Sequence, residues 1–185
     1  MEKLDEKQIF AYKQFCNIFI GIDPDNKKSG VAYLNSKNRS LVLSSMEFPK
    51  LMDWLRHVRS CHPDDHMMVV VEGGWLNESN WHVKGKALTP AKAAAMGRNV
   101  GMNHQTGMLV EQMCWAMGIV CDVVRPLVKG WSGADRKITA EELEYFTGYK
   151  RRSNQDERDA ALLAWNYAGL PVKVKPRGGG SHGKG

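Results

Sequence analysis

Four carboxylates in this sequence stand where a charge is unfavourable. Asp23 ends the apolar run at 18–22, and Glu72 ends the run at 67–71. Asp156 and Asp159 fall with Ala160, Leu163 and Tyr167 at i, i+3, i+4, i+7 and i+11, so all five share one helix face. Ala160 and Leu163 mark that face as buried, and a buried carboxylate needs a positive partner. Arg158 points elsewhere on the helix. Ser153 with Asp156 fits a capping box, which would account for Asp156 but not for Asp159 one turn further in. Brought together, the four acids would raise one another's pKa unless a cation intervened. All-oxygen ligation suits Mg²⁺ or Mn²⁺. Two such ions about 3.5–4 Å apart activate a water and stabilise the leaving oxygen of a phosphodiester.

The elements that must position these acids can be read in outline. Residues 17–34, NIFIGIDPDNKKSGVAYL, read as two strands of a hairpin, because Pro24 stops the first strand and Lys27, Lys28, Ser29 and Gly30 form a turn. A third strand is expected at 41–46 and a helix at 48–60, with Leu51, Leu55 and Val58 inward. MMVVVEGG at 67–74 is a second buried strand, a long helix runs from Pro90 to about Met117, and 119–124 is a further buried strand. Thr139 with Glu142 predicts a capping box for a helix at 140–146, and the last helix covers 154–168. If the two acid-bearing strands are parallel neighbours, their ends share one sheet edge, and a helix packed across it completes the set.

Composition narrows the class. The 185 residues suffice for one domain with a substantial core, and 43% hydrophobic with 25% charged residues is ordinary for a globular protein. The division expected is a lead-in helix at 1–16, a nuclease domain at 17–170 and a basic Gly-rich tail at 171–185. No apolar run approaches the roughly 18 residues of a membrane span. The start, MEKLDEKQIFAYKQF, is too charged for a signal peptide. Cys16, Cys61, Cys114 and Cys121 lack CxxC spacing, so free thiols in a reducing cytoplasm are expected. His57, Cys61, His62 and His66 lie close in sequence, but no second pair completes a zinc site. A net charge of +6 suits a polyanionic partner. The loop after Glu72 carries Trp75 and Trp81 among His82, Lys84 and Lys86, and aromatics among basic residues suit base stacking. Packing under the loop is an equal alternative for either Trp. Lys129, Arg136 and Lys137, then Arg151 and Arg152, make two further basic clusters.

These residues carry a resemblance. IGIDPDNKKSGVAYL, VVVEGGW, the MGRNVG helix, VKGWSGADRK and NQDERDAALLAW come in the order and at about the spacings of RuvC-type Holliday-junction resolvases, over roughly residues 18–168. The resemblance implies an α/β domain of RNase H-like fold, a central mixed sheet flanked by helices. It places Asp23, Glu72, Asp156 and Asp159 on the family's four metal-binding acidic positions. Trp75 falls where the family carries an aromatic that wedges into the junction centre, and Lys129 with Arg136 or Lys137 fall near its DNA-contacting lysines. A Mg²⁺-dependent homodimer cutting two strands of a four-way junction symmetrically is the activity implied. The chain departs from the pattern at Asp25, often Gly in the family, in the lead-in, and in the loop between Glu72 and the long helix.

Rival readings are fewer. A calcium loop at Asp23 fails because Lys27 and Lys28 intrude and its twelfth position is Leu34. Actin-like ATPases open similarly but are usually about twice as long. A related nuclease cutting flaps or RNA–DNA hybrids would share the metal chemistry. A non-catalytic binder of branched DNA would keep the basic loops without needing four acids.

Overall fold

Residues 18–22 and 67–71 are buried without exception, as befits strands covered on both faces. In the computed structural model, which describes residues 2–63, 66–77, 89–128 and 130–174, these runs form the centre of a five-stranded sheet. The strands are β1 (Ile18–Asp23), β2 (Ser29–Asn35), β3 (Ser40–Met46), β4 (Met67–Glu72) and β5 (Val120–Val124). Their order is β3-β2-β1-β4-β5. β1 pairs antiparallel with β2 and parallel with β4, β4 pairs parallel with β5, and β2 pairs antiparallel with β3. This is the mixed sheet flanked by helices expected for an RNase H-like fold. Because Ile22 lies opposite Val71 in the parallel pair, Asp23 and Glu72 leave the sheet at the same edge.

The helices are α1 (Glu6–Lys13), α2 (Phe48–Cys61), α3 (Pro90–Ala116), α4 (Ala140–Thr147) and α5 (Gln155–Tyr167). α1 begins on an Asp5–Gln8 capping box and puts Ile9 into the core. Beyond it, Tyr12 and Phe15 flank the His66 ring. α2 turns Leu51, Met52, Leu55 and Val58 inward. α3 is long, but its first ten residues, 90–99, are exposed, and its burial begins at Gly107 and Val110. α4 starts on the expected Thr139–Glu142 capping box and ends at Gly148, whose φ of 76° is the left-handed conformation that favours glycine.

α5 sits directly on the backbone of β1 and β2. A Cβ at Gly21 would lie 2.2 Å from the Ala160 carbonyl oxygen, and one at Gly30 would lie 2.1 Å from that of Asp156. Asp23 is the register partner of Gly30, so the first turn of α5 is delivered to the acidic strand end. The cap of α5 differs from expectation. Asn154, not Ser153, is the N-cap, and its box partner is Glu157, not Asp156. Both residues satisfy the capping pattern, and the winner is one residue later. Asp156 therefore has no role in the cap. At the other end, Tyr167 donates a 2.7 Å hydrogen bond to Asp122 of β5, and Trp165 donates to the Pro171 carbonyl.

The close contact makes a stability prediction. Gly21→Ala forces a methyl against backbone atoms that cannot rotate away, so urea unfolding should show a loss of about 1–3 kcal/mol. A loss below about 0.5 kcal/mol would mean α5 shifts freely on the sheet.

Candidate active site

The other three acids all act on Asp23. Burial pushes the Asp23 carboxyl well above its ordinary value, and the charges of Glu72, Asp156 and Asp159 push it further, against an opposing pull from Lys137. Asp156 is raised too, first by burial, with Lys137 opposing and Asp25, Asp159 and Glu157 adding. Asp159 is held differently. It accepts a 2.7 Å hydrogen bond from Gln155 Nε2, and its other oxygen lies 3.5 Å from Lys137 Nζ. Glu72, Lys137 and Asp159 line one small pocket with Leu127, Trp131 and Leu162.

The donor set fits a hard divalent cation: carboxylate oxygens, supplied by two strand ends and one helix face. The raised Asp23 carboxyl fits it as well, because like charges gathered in a buried place favour a cation among them. In the conformation seen, no three His, Cys, Asp or Glu side chains among the described residues are close enough to grip one ion. Asp159 is turned to Gln155 and Lys137 instead.

Loops on both sides are pinned. Asp25 Oδ1 accepts the Lys27 and Lys28 backbone N–H groups, and its Oδ2 accepts from Asn103 Nδ2 of α3. Asn103 Oδ1 in turn accepts the Asn26 N–H at 3.0 Å. Asp25 thus builds the turn after Asp23 and ties it to α3. On the other side, the Glu142 oxygens accept the Ser132 and Thr139 N–H groups, each at 2.9 Å. Burial raises the Glu142 pKa, but these hydrogen bonds outweigh it and the net shift is downward. The stretch between them, with a 3-10 turn at Ala134–Arg136, carries Lys137, whose carbonyl accepts the Gly133 N–H. Asn103 and Gln155 were not expected from sequence, where each is an ordinary polar residue on a helix.

The expected nucleic-acid contacts divide. Trp75 is half-buried. Its ring occupies the space where a Gly107 Cβ would stand, beside Pro24, and meets the His104 ring edge-on at 6.0 Å. Arg136, Arg151 and Arg152 are exposed. Asp135 and Arg136 hold left-handed backbone, φ 53° and 59°, a conformation that is unfavourable for both. Lys137 turns inward to Asp159 rather than outward. Trp81, Lys84, Lys86 and Lys129 lie outside the described residues, as does His82. The His57, Cys61, His62, His66 group does not converge: Cys61 Sγ is 3.6 Å from His57 Nε2, His62 meets Tyr33, and His66 lies by Tyr12. All four cysteines are free, and Cys16, Cys114 and Cys121 are buried. No helix among the described residues is long and apolar enough to cross a membrane.

No protein-family model matches this chain, and no curated protein does. Solved structures do. Thermus thermophilus RuvC in complex with Holliday junction substrate is 15% identical, with 80% of this chain and 90% of that chain covered and a TM-score of 0.49. A second Thermus thermophilus RuvC structure is also 15% identical, covering 86% and 99% of the two chains at a TM-score of 0.44. Both of these structures are of RuvC.

The raised carboxyls bear on stability. Asp23 and Asp156 hold protons more tightly in the folded than in the unfolded chain. Their contribution is fully present below the unfolded value near 3.8 and is lost as pH rises through the raised folded values. In EDTA, melting temperature followed upward from pH 4 should therefore carry a downward component that Asp23→Asn removes. Identical pH profiles for the two proteins would show that Asp23 titrates normally.

Proposed function

We propose that this chain is a divalent-metal-dependent endonuclease that resolves four-way DNA junctions as a homodimer, with Mg²⁺ or Mn²⁺ as the ion. The observation that carries this reading is that Asp23 and Glu72 leave the sheet at one edge and that α5, which bears Asp156 and Asp159, packs on β1 and β2 beside it. These four residues would hold two ions, which when bound supply an activated water and charge stabilisation at the departing phosphodiester oxygen. The protein's own work is positional. β1 and β4 fix two acids at one level, and α5 brings the other two from above.

Substrate binding falls to residues around that edge. Arg136, Arg151 and Arg152 are exposed cations suited to phosphate contacts. Trp81, Lys84, Lys86 and Lys129, outside the described residues, are proposed as DNA contacts from their residue types alone. Trp75, three residues beyond Glu72, is assigned to the opened junction centre, where a large ring replaces base stacking worth ~1–3 kcal/mol per base. The homodimer is supported by α3, whose exposed half includes Met96 and leads into exposed Met102 and Leu109.

The deciding experiment uses labelled four-way junction, duplex, flap and RNA–DNA hybrid, each with Mg²⁺ or EDTA. Junctions should be cut symmetrically in Mg²⁺ only. Asp23→Asn, Glu72→Gln or Asp159→Asn should each abolish cleavage while junction binding persists, because the basic surface supplies affinity. Cutting of hybrids but not junctions would replace this reading with a ribonuclease, and binding without any cutting would replace it with a branched-DNA binder.

Trp75 is tested separately by pairing cleavage with melting temperature. Being half-buried, Trp75→Ala should cost less than the ~3–5 kcal/mol of a fully buried aromatic, yet impair junction opening and cutting. Unstacking is read from 2-aminopurine fluorescence at the junction centre. Unchanged unstacking and cutting with a large fall in melting temperature would make Trp75 a packing residue.

A further inference from the structure

Lys137 has a resting partner that its sequence context does not suggest. Its ammonium lies 3.5 Å from Asp159 Oδ2, with the two side chains only 31% and 17% exposed. It lines the same pocket as Glu72. Its charge also opposes the upward shifts at both Asp23 and Asp156. One cation thus reaches all four acids of the edge.

The backbone beneath it is held by hydrogen bonds. Glu142 pins Ser132 and Thr139 on either side, and Gly133 donates to the Lys137 carbonyl at 3.0 Å. A lysine offers a compact charge on a flexible four-carbon stem, able to change partners without moving its backbone. A single ammonium cannot satisfy the several carboxylate oxygens that a divalent ion would take. A 3.5 Å pair with partial exposure is weakly held and can be broken.

We propose that Lys137 is a built-in counter-ion, neutralising the acidic edge in the metal-free chain and leaving Asp159 when a divalent ion enters. This rests on the metal-site reading above. It makes Lys137 a competitor of the metal in the resting protein, distinct from the phosphate contact expected from sequence. Two opposite effects follow from one charge. Removing it leaves the metal-free acids less compensated, and it frees Asp159 for the ion.

The test is Mn²⁺ binding by the DNA-free protein, read from the EPR signal of free Mn²⁺, with melting temperature in EDTA as the second measurement. Lys137→Met keeps the stem and loses the charge. It should bind Mn²⁺ about two- to tenfold more tightly than wild type and melt lower at neutral pH. Lys137→Arg keeps the charge and should track wild type in both. Mn²⁺ affinity in Lys137→Met that is unchanged or weaker, beside normal binding by wild type, would overturn the counter-ion proposal and leave the metal site standing. A wild-type protein that binds no Mn²⁺ would overturn the metal site and this proposal together.

Discussion

The site depends on how closely α5 lies on the sheet. Contact at Gly21 and Gly30 is backbone against backbone, at separations that leave no room for a methyl group. Everything at the acidic edge follows from that approach. Asp156 and Asp159 are four and one residues before Ala160, the residue seated on Gly21. Had β1 carried a side chain there, α5 would ride several ångströms higher, and its acids would face solvent rather than Asp23. The interlocking is reinforced by Ala160, Ala161 and Ala164, small residues that keep the helix close.

That proximity sets stability against function. Four carboxylates in a partly buried place repel one another, and the burial of Asp23 adds to the difficulty. The surrounding structure offsets this with a neutral and a positive group, Gln155 and Lys137 at Asp159. Sites that break a local rule and are held in place by their surroundings are where function concentrates. The core beneath makes this tolerable, with β1 and β4 buried along their length and Trp165 wholly enclosed.

Much of this was legible in the sequence, for physical reasons. An apolar run closed by a carboxylate is a strong statement, since water is excluded along the strand and must be met at its end. The stripe from Asp156 to Tyr167 was equally clear, because helical periodicity placed acids and apolar residues on one face. What could not be read were choices among near-equivalent partners. Ser153 and Asn154 both suit an N-cap, and only the geometry of the entering chain selects Asn154. Asn103 belongs to the site through a hydrogen bond to a residue 78 positions away, and nothing in α3 marks it. Asp122 interrupts β5, but its partner Tyr167 is 45 residues distant. The inward turn of Lys137 was hidden among other basic residues that do point outward. Trp75 was left open between stacking and packing, and its seat depends on Gly107, a helix glycine whose neighbour the sequence does not name.

The acids come from three separate segments, and this has a consequence for timing. Asp23 and Glu72 precede the long α3, whereas Asp156 and Asp159 follow α4. A ribosome delivers the chain from its N-terminus, so β1 to β4 emerge well before α5. A growing chain can expose its strand ends and part of its basic surface while still lacking half of the acidic set. The complete edge forms only after α5 emerges and settles on Gly21 and Gly30. Whatever the four acids do together is thereby withheld from unfinished polypeptide, by the order in which the segments are made.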